Sequence, residues 1–172
     1  MLSNMVANSE QIRKIFIEDE RIIYHLILNI SKKANTTFGS ECISFVAAMV
    51  LGLSDSEFQL FIGKSIKNLN YGEFLCDDAQ IVDVLFNCIF EVMGDLVRQD
   101  DQLHSLLIID QILYQGQCLT HFYSGKNIYA DNIMDRPGWI EAISDFQNSK
   151  SQNLFEEAQR IINEYFPEFV HE

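Results

Sequence analysis

A 172-residue chain that is 48% hydrophobic, with 13 Phe and only two Pro, can bury a sizeable core, and this is the composition of a globular chain rather than a disordered one. Lys and Arg number 12 against 25 Asp and Glu, a net charge of −13 that argues against nucleic acid or an anionic membrane as partner. The nearly apolar run Cys42 to Leu53 is too short to span a bilayer, and the opening MLSNMVANSEQ lacks the basic-then-apolar pattern of a signal peptide.

In chain order, Ile12, Ile15, Phe16, Ile22, Ile23, Leu26, Ile27 and Ile30 keep helical spacing, and Asp19 interrupts the stripe as a bend or break. NTTFGS (35–40) reads as a loop, followed by a very apolar helix over 40–51 that Gly52 stops. SDSE is a capping box, Ser54 with Glu57, opening a third helix to about Leu69. Asp77 or Asp78 is expected to cap a fourth helix to Arg98, and Asp100 or Asp101 a fifth to about Tyr123. SGKN (124–127) breaks the chain. Pro137 suits the first turn of a sixth helix, and Ser151 caps a seventh that ends before Pro167. Alternating strand patterns and hairpin signals are missing, and no repeat of solenoid length is found. The expectation is an all-α, single-domain bundle of about seven helices spanning residues 1–172.

The four cysteines, Cys42, Cys76, Cys88 and Cys118, are widely separated without a C-x-x-C pair, and three lie in strongly apolar stretches. That usage fits reduced, buried thiols in a cytoplasmic protein. The sequons at Asn29 and Asn35 carry little meaning without a secretory signal.

The densest run of titratable groups, FEVMGDLVRQDDQLHSLLIID (90–110), invites a metal or acid–base reading. On a wheel at about 100° per residue, Asp83, Asn87, Glu91 and Asp95 form one polar stripe on the fourth helix, with Arg98 among them. Apolar residues cover the rest, so the stripe reads as the wet edge of an otherwise buried helix. Asp101-x-x-His104 has the wrong acid for a di-metal centre, Glu168-x-x-His171 lies beyond Pro167, and Cys118-x-x-His121 has no second pair. The Gly63–Ser65 GKS lacks the P-loop's upstream glycine, since Phe58 stands there, and is expected to fall inside a helix. No nucleophile motif is present. No metal, cofactor or catalytic residue is therefore assigned, and the protein reads as a non-enzyme.

The fifth helix has one broad apolar face from Leu106 to Leu119. Its opposite face mixes Leu103, Leu107, Tyr114 and Cys118 with His104, Asp110, Gln111, Gln117 and His121. Asp110, Tyr114, Gln117 and His121 fall within about 60° of one another. Either this helix is central and packed on both sides, or the mixed face is an interface of aromatic anchors among polar groups. His25 shares the polar side of the first helix and is expected to be exposed.

Charge is lopsided along the chain. Residues 1–72 hold seven acidic and seven basic side chains, whereas residues 73–172 hold 18 acidic against five basic. Size, acidity and the lack of a catalytic motif, taken over the whole chain, resemble the immunity proteins of bacterial toxin–immunity systems, including contact-dependent growth inhibition. The resemblance rests on no motif and transfers no residue roles. It implies a stoichiometric inhibitor that docks an acidic surface on a basic, nuclease-type toxin, without binding nucleic acid or membrane itself. The partner-binding candidates are Asp83, Glu91, Asp95, Asp110, Tyr114, Gln117 and His121. Two other readings stand beside it: a helical adaptor or secretion chaperone, and a helical metal-dependent phosphohydrolase using Glu91, Asp95 and Asp110.

Overall fold

The computed structural model describes residues 2–63, 65–66 and 79–169. The chain divides into two compact units, residues 1–92 and 93–172.

In the first unit, α1 (Leu2–Asn8) precedes the first helix expected from the sequence. Ser9 then opens α2 (Glu10–Glu18), its hydroxyl accepting from the Ile12 amide. Asp19 breaks the stripe by serving both sides. Its backbone amide donates to Ile15 O at the end of α2, and its carboxylate accepts from the Arg21 amide at the start of α3 (Glu20–Lys32). The next helix starts earlier than expected: α4 runs Thr37–Gly52, taking in most of the NTTFGS stretch. Asn35, at φ 62°, turns the chain, and Thr36 accepts from the Gly39 amide at 3.1 Å, so the cap lies within the segment read as loop.

The capping box opens α5 (Asp55–Ile62) as expected, with Ser54 and Glu57 exchanging hydrogen bonds. The helix stops at Ile62, well short of Leu69, with Gly63 as its C-cap and the Gly63 amide bonded to Gln59 O. Ser65–Ile66 (β1) then pairs antiparallel with Ala79–Gln80 (β2), so GKS follows a helix end rather than lying mid-helix. Leu69 and the expected caps Asp77 and Asp78 lie outside the described residues. Helix α6 (Ile81–Val92) passes into a 3-10 turn at Met93–Asp95 and does not continue to Arg98.

The core of this unit is the packing of α3 with α4 and α6. Ile27, Val46, Leu85, Phe86 and Ile89 are fully buried, each fully buried side chain of this size being worth roughly 1.5–3 kcal/mol. Arg13 of α2 ties α1 and α5 together. Its Nη1 donates to Val6 O and Ala7 O at the end of α1, and its Nε lies 3.3 Å from Glu57 Oε1 on α5.

In the second unit, α7 (Gln99–Cys118) runs into a 3-10 turn at Thr120–Phe122, followed by α8 (Ile128–Met134) and α9 (Trp139–Ser144). A 3-10 turn at Asp145–Asn148 leads to α10 (Gln152–Tyr165), which ends before Pro167 as expected. Arg98, not Asp100 or Asp101, occupies the N-cap position of α7. Both carboxylates sit in the first turn, where the helix dipole favours them, and buried Asp101 lies 3.9 Å from Arg98 Nε. Pro137 lies outside α9, ahead of the N-cap Gly138, and Ser151 stands at the N-cap of α10 without a side-chain hydrogen bond.

Helix α8 rests on Asn127, which accepts from the Tyr129 and Ala130 amides and donates to Leu113 O of α7 at 2.8 Å. Gly116 permits this crossing, since a Cβ there would collide with the side chains of Asn127 and Tyr129. Helices α7 and α10 form the main contact of the unit, burying Leu106, Ile109, Leu113, Ala158 and Ile161.

The all-α class holds, but the described residues form ten α-helices rather than seven. The additions are α1, the division at Asp19 and α8. No helix among the described residues is long and apolar enough to cross a membrane.

Candidate functional site

The mixed face of α7 is organised by a residue on another helix. Arg160 of α10 places Nη2 at 2.6 Å from Asp110 Oδ2 and 2.7 Å from Glu157 Oε1, and Nη1 at 3.4 Å from Glu164 Oε2. Glu157 and Glu164 come from the same helix at i−3 and i+4, spacings that bring side chains together. Asp110 comes from α7 through the packing of the two helices. One guanidinium thus faces three carboxylates, and the cluster stays net negative. The bond to Asp110, followed by that to Glu157, raises the Arg160 pKa above its already high value. Beside the cluster, burial and then the Asp110 and Glu164 charges hold the Tyr165 phenol well above its ordinary range. The second Asp110 oxygen, Oδ1, is buried and has no hydrogen-bond partner among the described residues. The sequence analysis did not assign Arg160; the spacing of Glu157, Arg160 and Glu164 was the signal available for it.

One turn beyond Asp110, Tyr114 is 48% exposed although its neighbours Leu113, Gln115 and Gly116 are buried. Gln117, a further turn along, is also exposed. The three share a face of α7 because they are spaced at i, i+4 and i+7. His121 is not on that helix. The α-helix ends at Cys118, and His121 lies exposed in the 3-10 turn, its Nδ1 3.1 Å from Cys118 O and its ring 3.9 Å from that of Phe122. Phe122 and Tyr123 are exposed as well, so the C-terminal end of α7 presents several aromatic rings to solvent. Such rings beside amide and carboxylate groups supply contact area and directional hydrogen bonds, which is the chemistry of recognition.

The remaining candidates sit elsewhere. Asp83 is half-buried in the first turn of α6, and Glu91 is exposed near that helix's end. Asp95 is exposed too, but lies in the 3-10 turn after α6, so the expected four-residue stripe on one helix is cut after Glu91. Val97, read as part of the buried face, is 78% exposed for the same reason. His25 is exposed as expected. Among the described residues, no three His, Cys, Asp or Glu side chains converge to hold a metal ion.

Of the cysteines, Cys42 and Cys88 are buried free thiols, and burial pushes the Cys88 pKa up to about 11. Cys118 is exposed, contrary to the expectation of buried thiols, because it falls on the solvent side of the last turn of α7. Cys76 lies outside the described residues. No protein-family model and no curated protein matches the chain.

Proposed function

We propose that this is a non-catalytic binding protein of the bacterial toxin–immunity type, which neutralises a basic, nuclease-type toxin by docking an acidic surface over its substrate cleft. It would act in the cytoplasm, without cofactor, and bind neither nucleic acid nor membrane. The observation that carries the reading is the exposed Tyr114, one turn from the Asp110–Arg160–Glu157–Glu164 cluster. An aromatic anchor beside negative charge held in place by a fixed guanidinium suits a partner with apolar pockets in a positive surface. The charge supports it: residues 93–172 carry 13 acidic against five basic side chains.

The test is to immobilise the full chain, pass lysate of the source cell over it at low salt, and identify what is retained. The captured protein's association rate is then followed over a salt series. A basic toxin domain whose activity the chain blocks, and whose association slows as salt rises, is the expected result. Retention of a salt-insensitive, non-basic client would replace this reading with the adaptor one.

A further inference from the structure

The first unit contains a feature that the docking surface on α7 and α10 does not use. A cavity of about 170 Å3 opens where α2, α3 and α4 meet. Phe16 and Phe45 form two of its walls, their ring centroids 4.8 Å apart and their planes inclined at 64°. Buried Cys42 and half-buried Leu26 lie toward its closed end, while Ile22 and Phe38, 55% exposed, stand at the mouth. The lining has one charged side chain, Glu41, which is exposed and makes no ion pair among the described residues.

Size and chemistry together define an occupant. An apolar cavity of about 150 Å3 takes up benzene, so this one has room for a single six-membered ring. The Phe16–Phe45 pair, already packed edge to face, offers such a ring an aromatic surface to lie against. The carboxylate at the mouth favours a positive head group, and the exposed Phe38 ring offers that head a π face. A ligand that is apolar at one end and cationic at the other satisfies both halves, following the usual pattern of an apolar pocket oriented by a few polar groups. We propose that this cavity is a binding site for a small aralkylammonium ligand, its ring packed against the Phe16–Phe45 pair and its ammonium group at Glu41.

The probe is benzylammonium, with benzyl alcohol as the neutral compound of matching shape, titrated into the full-length protein at neutral pH and followed by amide NMR. Benzylammonium is expected to bind with a Kd on the order of a millimolar, as suits so few atoms, and to shift residues 16, 38, 41, 42 and 45 first. Glu41→Gln should weaken benzylammonium by about threefold and leave benzyl alcohol unchanged, the scale of an exposed ion pair. Phe38→Ala should weaken both probes. Both positions are exposed, so the variants should melt like the wild type, which separates lost binding from lost folding. Shifts that bypass these residues would overturn the proposal. So would benzyl alcohol binding as tightly as benzylammonium, or undiminished binding to either variant.

Discussion

Asp110 Oδ2 stands 2.6 Å from Arg160 Nη2, joining α7 to α10 through a pair whose acid is 14% and whose base is 43% exposed. Pairs fully in water contribute at most about 1 kcal/mol, whereas breaking a buried one costs about 3–5 kcal/mol. This pair lies between the two limits, and its arginine also holds Glu157 and Glu164. Arg160→Ala leaves three carboxylates facing one another and should lower stability by about 1–2 kcal/mol in urea unfolding. Arg160→Lys keeps the charge but loses the fork, and should recover only part of the loss. A wild-type unfolding midpoint for Arg160→Ala would show that the cluster contributes nothing to the fold.

Glu57 gives the first unit an acid-sensitive tie. Burial alone would raise its pKa, but the Ser54 amide and hydroxyl and the Arg13 guanidinium outweigh burial and leave it lowered. A carboxylate whose pKa is depressed on folding stabilises the fold above its unfolded value. That contribution is lost as pH falls from about 4.5 through the lower folded value. Glu57→Gln should therefore cost about 1 kcal/mol at pH 7, and the difference from the wild type should shrink progressively as pH falls below about 4.5, a convergence visible in melts across an acid series. Parallel curves at all pH values would contradict it.

The thiols should react in a definite order. Treated with iodoacetamide under native conditions, Cys118 should be labelled first, while Cys42 and Cys88 stay protected until denaturant is added. For Cys88 the raised pKa reinforces its inaccessibility. Peptide mass spectrometry reads all of these sites in one experiment, and labelling of Cys88 ahead of Cys118 would contradict the burial described.

Tyr114 separates interface from core. Being exposed, it can be replaced by Ala with a change in the free protein's stability of about 0.5 kcal/mol or less. If it anchors the toxin, the same change should raise the dissociation rate of the complex by roughly 30-fold, equivalent to about 2 kcal/mol. A variant that melts normally and releases its partner at the wild-type rate would remove Tyr114 from the interface.

The acidic residues around the end of α6 should act on the rate of encounter. Reversing Glu91 and Asp95 to Lys turns two attractions for a basic partner into two repulsions, and should slow association about tenfold at low salt. The difference should shrink as salt is added. Both residues are exposed, so folding should survive. A reversed-charge protein that associates at the wild-type rate across the salt series would sink the acidic-docking mechanism, even with a toxin as partner.

Local chemistry made much of the fold legible. The Asp19 break, the Ser54–Glu57 capping box, the end of α10 before Pro167 and the buried face of α6 all follow from signals a few residues apart. Helix ends were harder to read, because apolar spacing does not show where a helix tightens into a 3-10 turn. Met93 to Asp95 continues the period of α6, and Leu119 to Tyr123 that of α7, yet neither stretch is α-helical. Asp95 and His121 left their expected helices for that reason.

The sequence by itself determined the helical class, the surplus of negative charge after residue 72 and the Asp110, Tyr114, Gln117 face of α7, all of which depend on composition and periodicity. Only the tertiary structure decided which members of that face meet solvent. Asp110 is drawn into an ion pair with a residue 50 positions away, Tyr114 is left exposed, and Phe16 and Phe45 come together from separate helices to wall a cavity. The physical reason is that burial and long-range pairing depend on which helix lands against which, and hydrophobic spacing along one helix carries no record of its neighbour.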